Sequence, residues 1–119
     1  MPTQEILRAE FVTFFDSFSD KHRGGLITLE IMNPDIGDQT VAHDVPLEGI
    51  TADLSGQGVD KIEIVVGGRP DSHFSDTVVA PRNVWLKSSE KGADEALEIV
   101  GEEKTMLLRF PSPVGGETR

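Results

Sequence analysis

Leu7-Arg8-Ala9-Glu10-Phe11-Val12-Thr13-Phe14-Phe15-Asp16-Ser17-Phe18 decides the architecture of this chain, and it holds four of its six phenylalanines. At about 100° per residue, Leu7, Phe11, Phe14, Phe15 and Phe18 fall within an arc of roughly 100°. The spacing predicts a helix over residues 4–20, capped by Thr3 and with Glu5 in its first turn. Lys21, His22 and Arg23 suit the negative end of the helix dipole, and Gly24-Gly25 supplies the left-handed stop. The phenylalanine stripe reads as a core face; the alternative is a helix that inserts into a partner or a membrane surface. Glu10, Asp16 and Asp20 stand where a membrane-surface helix would carry Lys and Arg, which argues against a membrane.

From Leu26 the period changes to two. Ile27, Leu29 and Ile31 alternate with Thr28, Glu30 and Met32, and Val41, His43 and Val45 share one face of the segment 39–45. Beyond Pro46, Ile50, Ala52 and Leu54 alternate over 47–54, and Ile62, Ile64 and Val66 over 61–66. Asn33-Pro34-Asp35-Ile36-Gly37-Asp38 and Ser55-Gly56-Gln57-Gly58 are turns. Shorter strands follow at 77–80, 83–87, 96–100 and 105–110, the last two joined by the hairpin connection Gly101-Glu102-Glu103-Lys104.

One helix and six to eight short strands at roughly 8–12-residue spacing predict a mainly β domain. The loops are too short for parallel crossovers, so the sheet is expected to be antiparallel. A single apolar helix packs most simply on a strongly bent sheet or a small, partly open barrel, plugging its open side. That layout is similar to SH3-like and Sm-like barrels, a likeness of arrangement that carries no function. The expected organisation is one domain over 1–110, with strands from 26 to 110, and a flexible tail over 111–119 that opens Pro111-Ser112-Pro113.

Composition narrows the chemistry. A chain of 119 residues buries about 65% of its unfolded surface and needs no staple to fold. With no cysteine, thiol catalysis, disulfides and thiolate zinc sites are excluded. The start Met1-Pro2-Thr3-Gln4-Glu5 lacks a basic leader and no apolar run reaches membrane-span length, so a soluble cytoplasmic protein is expected. The net charge is −10: residues 1–60 hold 3 basic and 11 acidic groups, and residues 61–119 hold 8 and 10. Such a surface repels phosphate backbones, which disfavours nucleic acid. Nucleic-acid binding would require Arg69, Arg82, Lys87 and Lys91 to converge on one face.

Catalytic signatures do not occur. There is no Gly-rich phosphate loop, no nucleophile elbow and no His-Glu-x-x-His helix. Gly56-Gln57-Gly58 leads from strand to strand, so no helix dipole awaits an anion. Of the three histidines, His22 reads as a helix C-terminal cation. His43, between valines on one face, reads as a hydrogen-bonded core residue. His73 lies in a polar loop with Asp71 and Asp76, a set chemically competent to hold a divalent metal or shuttle protons, although each also suits an ordinary turn. A fold that brought His43 or Glu48 beside this loop would strengthen the metal or acid–base reading. Arg69 and Arg82, each beside a proline, are the cations expected in a buried ion pair. Trp85 alternates out of phase with Val84 and Leu86: it faces outward as an interface anchor if those two face the core, and is itself core if the sheet closes on both sides.

Several blocks resemble an uncharacterised family of small bacterial proteins, a domain of unknown function. They are Phe14-Phe15-Asp16-Ser17-Phe18-Ser19, Val45-Pro46-Leu47-Glu48-Gly49-Ile50, Val66-Gly67-Gly68-Arg69-Pro70-Asp71-Ser72-His73, Gly92-Ala93-Asp94-Glu95-Ala96-Leu97-Glu98-Ile99 and Thr105-Met106-Leu107-Leu108-Arg109-Phe110. The resemblance spans nearly the whole chain. It implies a bacterial single-domain protein and brings no activity and no catalytic residues with it. The expectation is therefore a non-enzymatic interaction or assembly domain that forms a homo-oligomer or binds a protein partner, without a cofactor. The alternative is a metal- or small-molecule-binding domain, in the extreme a weak hydrolase, centred on Asp71, His73 and Asp76.

Overall fold

The phenylalanine helix does pack on strands, but it starts later than its periodicity suggests. In a computed structural model, residues 3–54, 59–67 and 73–111 are described. Thr3–Ile6 forms a strand (β1), Arg8–Glu10 a 3-10 turn, and Phe11–His22 the helix α1. The expected helix over 4–20, with Thr3 as its cap, is corrected here. Thr3–Ile6 pairs antiparallel with Val84–Lys87 instead. The turn that follows is closed by its own groups: the Leu7 N–H donates to Glu10 Oε1 at 3.1 Å and the Glu10 N–H to the Leu7 carbonyl at 2.7 Å. Leu7 is thereby held extended, outside the helix, and is 58% exposed rather than part of the apolar face.

The remaining stripe behaves as its spacing predicts. Phe11, Phe15 and Phe18 are buried and Phe14 packs against them, with ring centroids 5.2 Å from Phe15 and 5.4 Å from Phe18. Lys21 and His22 stand in the last turn; the chain leaves the helix at Arg23, and Gly24, left-handed at φ +87°, completes the tight turn that the Gly25 N–H closes on the His22 carbonyl at 2.9 Å. The Gly24 N–H then donates to the Leu47 carbonyl at 2.8 Å, while the Leu47 N–H donates to Gly25 at 2.9 Å.

The other strands are β2 (Leu26–Asn33), β3 (Gly37–Asp53), β4 (Lys61–Val66), β5 (Phe74–Val79), β6 (Asn83–Ser88), β7 (Asp94–Val100) and β8 (Thr105–Arg109). They form one sheet in the order β1-β6-β7-β8-β2-β3-β4-β5, and every neighbouring pair is antiparallel. The sheet is not closed: β1 and β5, at the two ends, do not pair, so the partly open form is realised and a complete barrel is not.

β3 explains the bend. Its residues up to Pro46 pair with β2, and from Leu47 onward its residues pair with β4. Pro46, which has no N–H to give, sits where the strand changes partner. Register shifts at Leu29/Glu30 and at Leu47/Gly49 leave Val41 and Glu48 as extra residues on β3, and at Ile27/Leu29 His43 and Asp44 together stand opposite Thr28. Asp44 is left-handed at φ +52°. Bulges of this kind sharpen twist and turn the strand. They also overturn the expectation for His43. Its alternation with Val41 and Val45 is broken, and its ring is exposed, with Thr28 Oγ1 at 3.2 Å from Nδ1 and Asp44 at 3.4 Å from Nε2.

Inside the bend, Ile27, Leu29, Ile62, Ile64, Leu97, Ile99 and Leu108 are wholly buried and meet the phenylalanine face. The helix also mends the edge that the bend creates. From Leu47 onward one side of β3 has lost β2, and there Ser19, 4% exposed, donates its hydroxyl to the Ile50 carbonyl at 3.1 Å and accepts the Ile50 N–H at 2.9 Å. No helix among the described residues is long and apolar enough to cross a membrane.

Candidate functional site

The 71–76 segment is the first place to look for chemistry. Asp71 lies outside the described residues, as does Arg69. His73 stands just before β5, and its Nδ1 lies 2.6 Å from Glu48 Oε2. A carboxylate only accepts, so Nδ1 carries the proton of this contact. The bulge at Leu47/Gly49 aims Glu48 at this loop. The condition set by the sequence is thus met on the Glu48 side, while His43 goes elsewhere. A carboxylate-oriented imidazole suits a proton acceptor or a metal ligand.

Asp76 does not join this pair. Its Oδ1 accepts from Lys104 Nζ at 2.7 Å and from the Thr77 N–H at 2.8 Å, both partly buried. Among the described residues, no three His, Asp or Glu side chains converge on a position that could hold a metal. Glu48 also lines a polar cleft between α1 and β3 with Asp16, Asp20 and Arg23, where Arg23 Nη1 is held by Asp20 at 3.0 Å and its Nε donates to the Glu48 carbonyl at 3.2 Å.

Trp85 points away from the core. Val84 is buried and Leu86 packs on the core, so Trp85 lies half-buried on the outer face, in register with Glu5 on one side and Glu98 on the other. Arg82 is corrected from a buried pair to a surface one, 3.7 Å from Glu102 with both side chains more than 60% exposed. The most enclosed ion pair among the described residues is elsewhere. Asp94, with its side chain 7% exposed, receives His22 Nε2 at 2.7 Å and Lys21 Nζ at 3.2 Å, and the His22 ring packs between Phe18 and Phe110. His22 is therefore more than a helix-terminal charge. Its i+4 spacing from Phe18 was the legible hint, while Asp94, 72 residues on, could be supplied only by the fold.

The second feature is at the open end of the sheet. Gln4, Ile6, Ala9, Glu10, Thr13 and Phe14 line a groove between β1 and the first turns of α1. Sequence reasoning missed it, because residues 4–6 were assigned to the helix. The alternation of Gln4 and Ile6 against Thr3 and Glu5 was the available signal, four residues long and too short to outweigh the helical pattern beside it.

Arg8 fixes this end. Its Nε and Nη2 hold Asp60 at 2.6 and 3.1 Å. That hydrogen bonding, opposed by desolvation and helped by the guanidinium charge, keeps the Asp60 carboxyl below the ordinary carboxylate range. A depressed folded-state value stabilises above the unfolded-state value, about 3.9, and the benefit is lost as pH falls through the lower folded value. Arg8→Gln is expected to melt slightly below the parent at neutral pH, the effect being small for so exposed a pair. The gap should close below about pH 4. A gap that stays constant across the acid range would show that the ion pair is not its source.

Fold and site together define a class: a small, helix-backed, open antiparallel sheet that carries a Glu48–His73 pair on one side and a groove beside β1 on another. The chain belongs to the family of unknown function DUF5335, which matches over residues 2–119. No curated protein and no solved structure matches it.

Proposed function

We propose that this domain is a non-enzymatic interaction or assembly module that acts by associating with itself or with a protein partner. The observation that carries this reading is the open end of the sheet. Among the described residues β1 pairs with β6 alone, its first three residues are exposed, and an apolar-floored groove runs beside it. An unpaired strand edge is a template for another chain, and proteins that do not use one cover or blunt it. The outward Trp85 offers a second anchor of the kind enriched in interfaces. The reading sets the protein in the bacterial cytoplasm, where the absence of cysteine suits a reducing compartment.

A second reading rests on the Glu48–His73 pair: a site for a metal or small ligand at His73. One native mass spectrum, recorded near neutral pH without chelator, separates the two. A discrete oligomer of unmodified mass is the expected result for assembly. A monomer with bound mass that His73→Ala removes would replace the module reading with the ligand-site one. A bare monomer would eliminate self-association and leave binding to a partner protein.

A further inference from the structure

We infer that the groove between β1 and α1 receives an extended peptide segment that is basic and apolar in alternation, adding as a strand to the free edge of β1. The inference rests on the interaction-module reading and names the partner's chemistry. Three observations carry it.

The first is the backbone. β1 is a terminal strand of the sheet, and residues 3–5 are exposed. Alternate residues of β1 turn their N–H and C=O away from β6, which presents the ladder that β-strand addition uses. The opposite terminal strand is less available. Lys104 holds Asp76, and a Cβ added at Gly101 would sit 2.4 Å from Val78 Cγ1 and 3.2 Å from the Val79 carbonyl, so the β7–β8 connection lies directly against β5.

The second is the groove's floor. Gln4 and Ile6 project from the inner side of β1, while Ala9, Thr13 and Phe14 form the helical wall. Small residues at Ala9 and Thr13 leave room beside the Phe14 ring, so alternate apolar side chains of an added strand would find a pocket wall while their neighbours face water.

The third is charge, and it selects the occupant. Glu10 lines the groove and Glu5 lies on the strand. Neither carboxylate has a cationic partner among the described residues. Glu5 accepts from Asn83, Glu10 from the Leu7 N–H, and the nearby Arg8 is committed to Asp60. A second copy of this chain docked edge to edge would bring Glu5 and Glu10 of both copies together inside a molecule of net charge −10, which is repulsive. A lysine- or arginine-bearing strand with its apolar residues in the groove turns its cations to the outer face, where Glu5 lies.

The test uses a blocked peptide of alternating lysine and valine, with a glutamate–valine peptide of equal length as its counterpart, titrated into the full chain at low salt. The lysine peptide is expected to shift the backbone amide resonances of Thr3–Ile6 and to bind more weakly as salt is raised. Thr13→Arg, at an exposed helix position in the groove wall, is expected to weaken binding by about tenfold or more while leaving the fold intact. Failure of the lysine peptide to bind, equal binding of the glutamate peptide, shifts confined to Phe74–Val79, or indifference to Thr13→Arg would each overturn the inference. If the peptide fails while native mass shows a discrete oligomer, this inference alone falls. If the peptide fails and the protein is a bare monomer, the module reading falls with it.

Discussion

Phe15→Ala is expected to lower the stability of this domain by about 3–5 kcal/mol. The Phe15 ring is 0% exposed, with Phe14 at 5.2 Å and Phe11 at 6.0 Å between centroids. Removing it takes away the largest wholly buried side chain, at the point where α1 meets the sheet. The cost has two parts, the lost transfer of the ring from water and the cavity that a two-sided packing cannot close. For a domain of this size each kcal/mol lowers the melting temperature by about 4 °C, so thermal and urea unfolding both resolve the effect. Val12→Ala, on the exposed side of the same helix, is expected to stay within about 0.5 kcal/mol and serves as the control. A cost for Phe15→Ala below about 1 kcal/mol would mean that α1 is not anchored on the sheet and that its phenylalanine face is itself a docking surface.

Ser19→Ala is expected to be nearly as damaging, for a different reason. The change removes one oxygen and leaves the volume of the core almost unaltered. Yet that oxygen satisfies both the N–H and the carbonyl of Ile50, on the side of β3 that β2 has left. Each buried backbone group left without a partner costs about 1–3 kcal/mol. Ser17→Ala, one position on the exposed face, is expected to be silent. Hydrogen exchange supplies the decisive readout: the Ile50 amide should lose protection in Ser19→Ala while Ile64 and Ile62 across the β4 ladder keep theirs. Unchanged protection at Ile50 would show that the edge is covered by something other than the Ser19 hydroxyl. The same geometry accounts for this serine in structural terms and removes it from consideration as a nucleophile in the adjacent polar cleft.

These two residues differ in how they could be read. Phe15 was legible, because a period near 3.6 makes an apolar stripe without any knowledge of what it covers. The period of two located the inward faces of β2 and β4 equally well. Ser19 was not legible. Its role depends on β3 exchanging one neighbour for another 31 residues away, which no local pattern records. The candidate site divides the same way. His73 stood out as a histidine in a polar loop, but its carboxylate turned out to be Glu48, aimed by a bulge, while Asp76 went to Lys104.

The amino-acid sequence by itself therefore determined the class of fold: one amphipathic helix, six to eight short strands of alternating residues, and a net charge of −10. Those properties are local or additive, set by each segment's own spacing and by simple sums over the chain. The tertiary structure decided which strands became neighbours and what the ends of the sheet expose. Thr3–Ile6 became a strand because Val84–Lys87 offers a backbone ladder, and four residues alone favour neither helix nor strand strongly enough to choose. β3 runs as one strand through Pro46 while its partner changes there from β2 to β4, and its bulges bend it. From that bend follow the groove beside β1, the carboxylate on His73 and the edge held by Ser19, all made by groups distant in sequence and brought together only by folding.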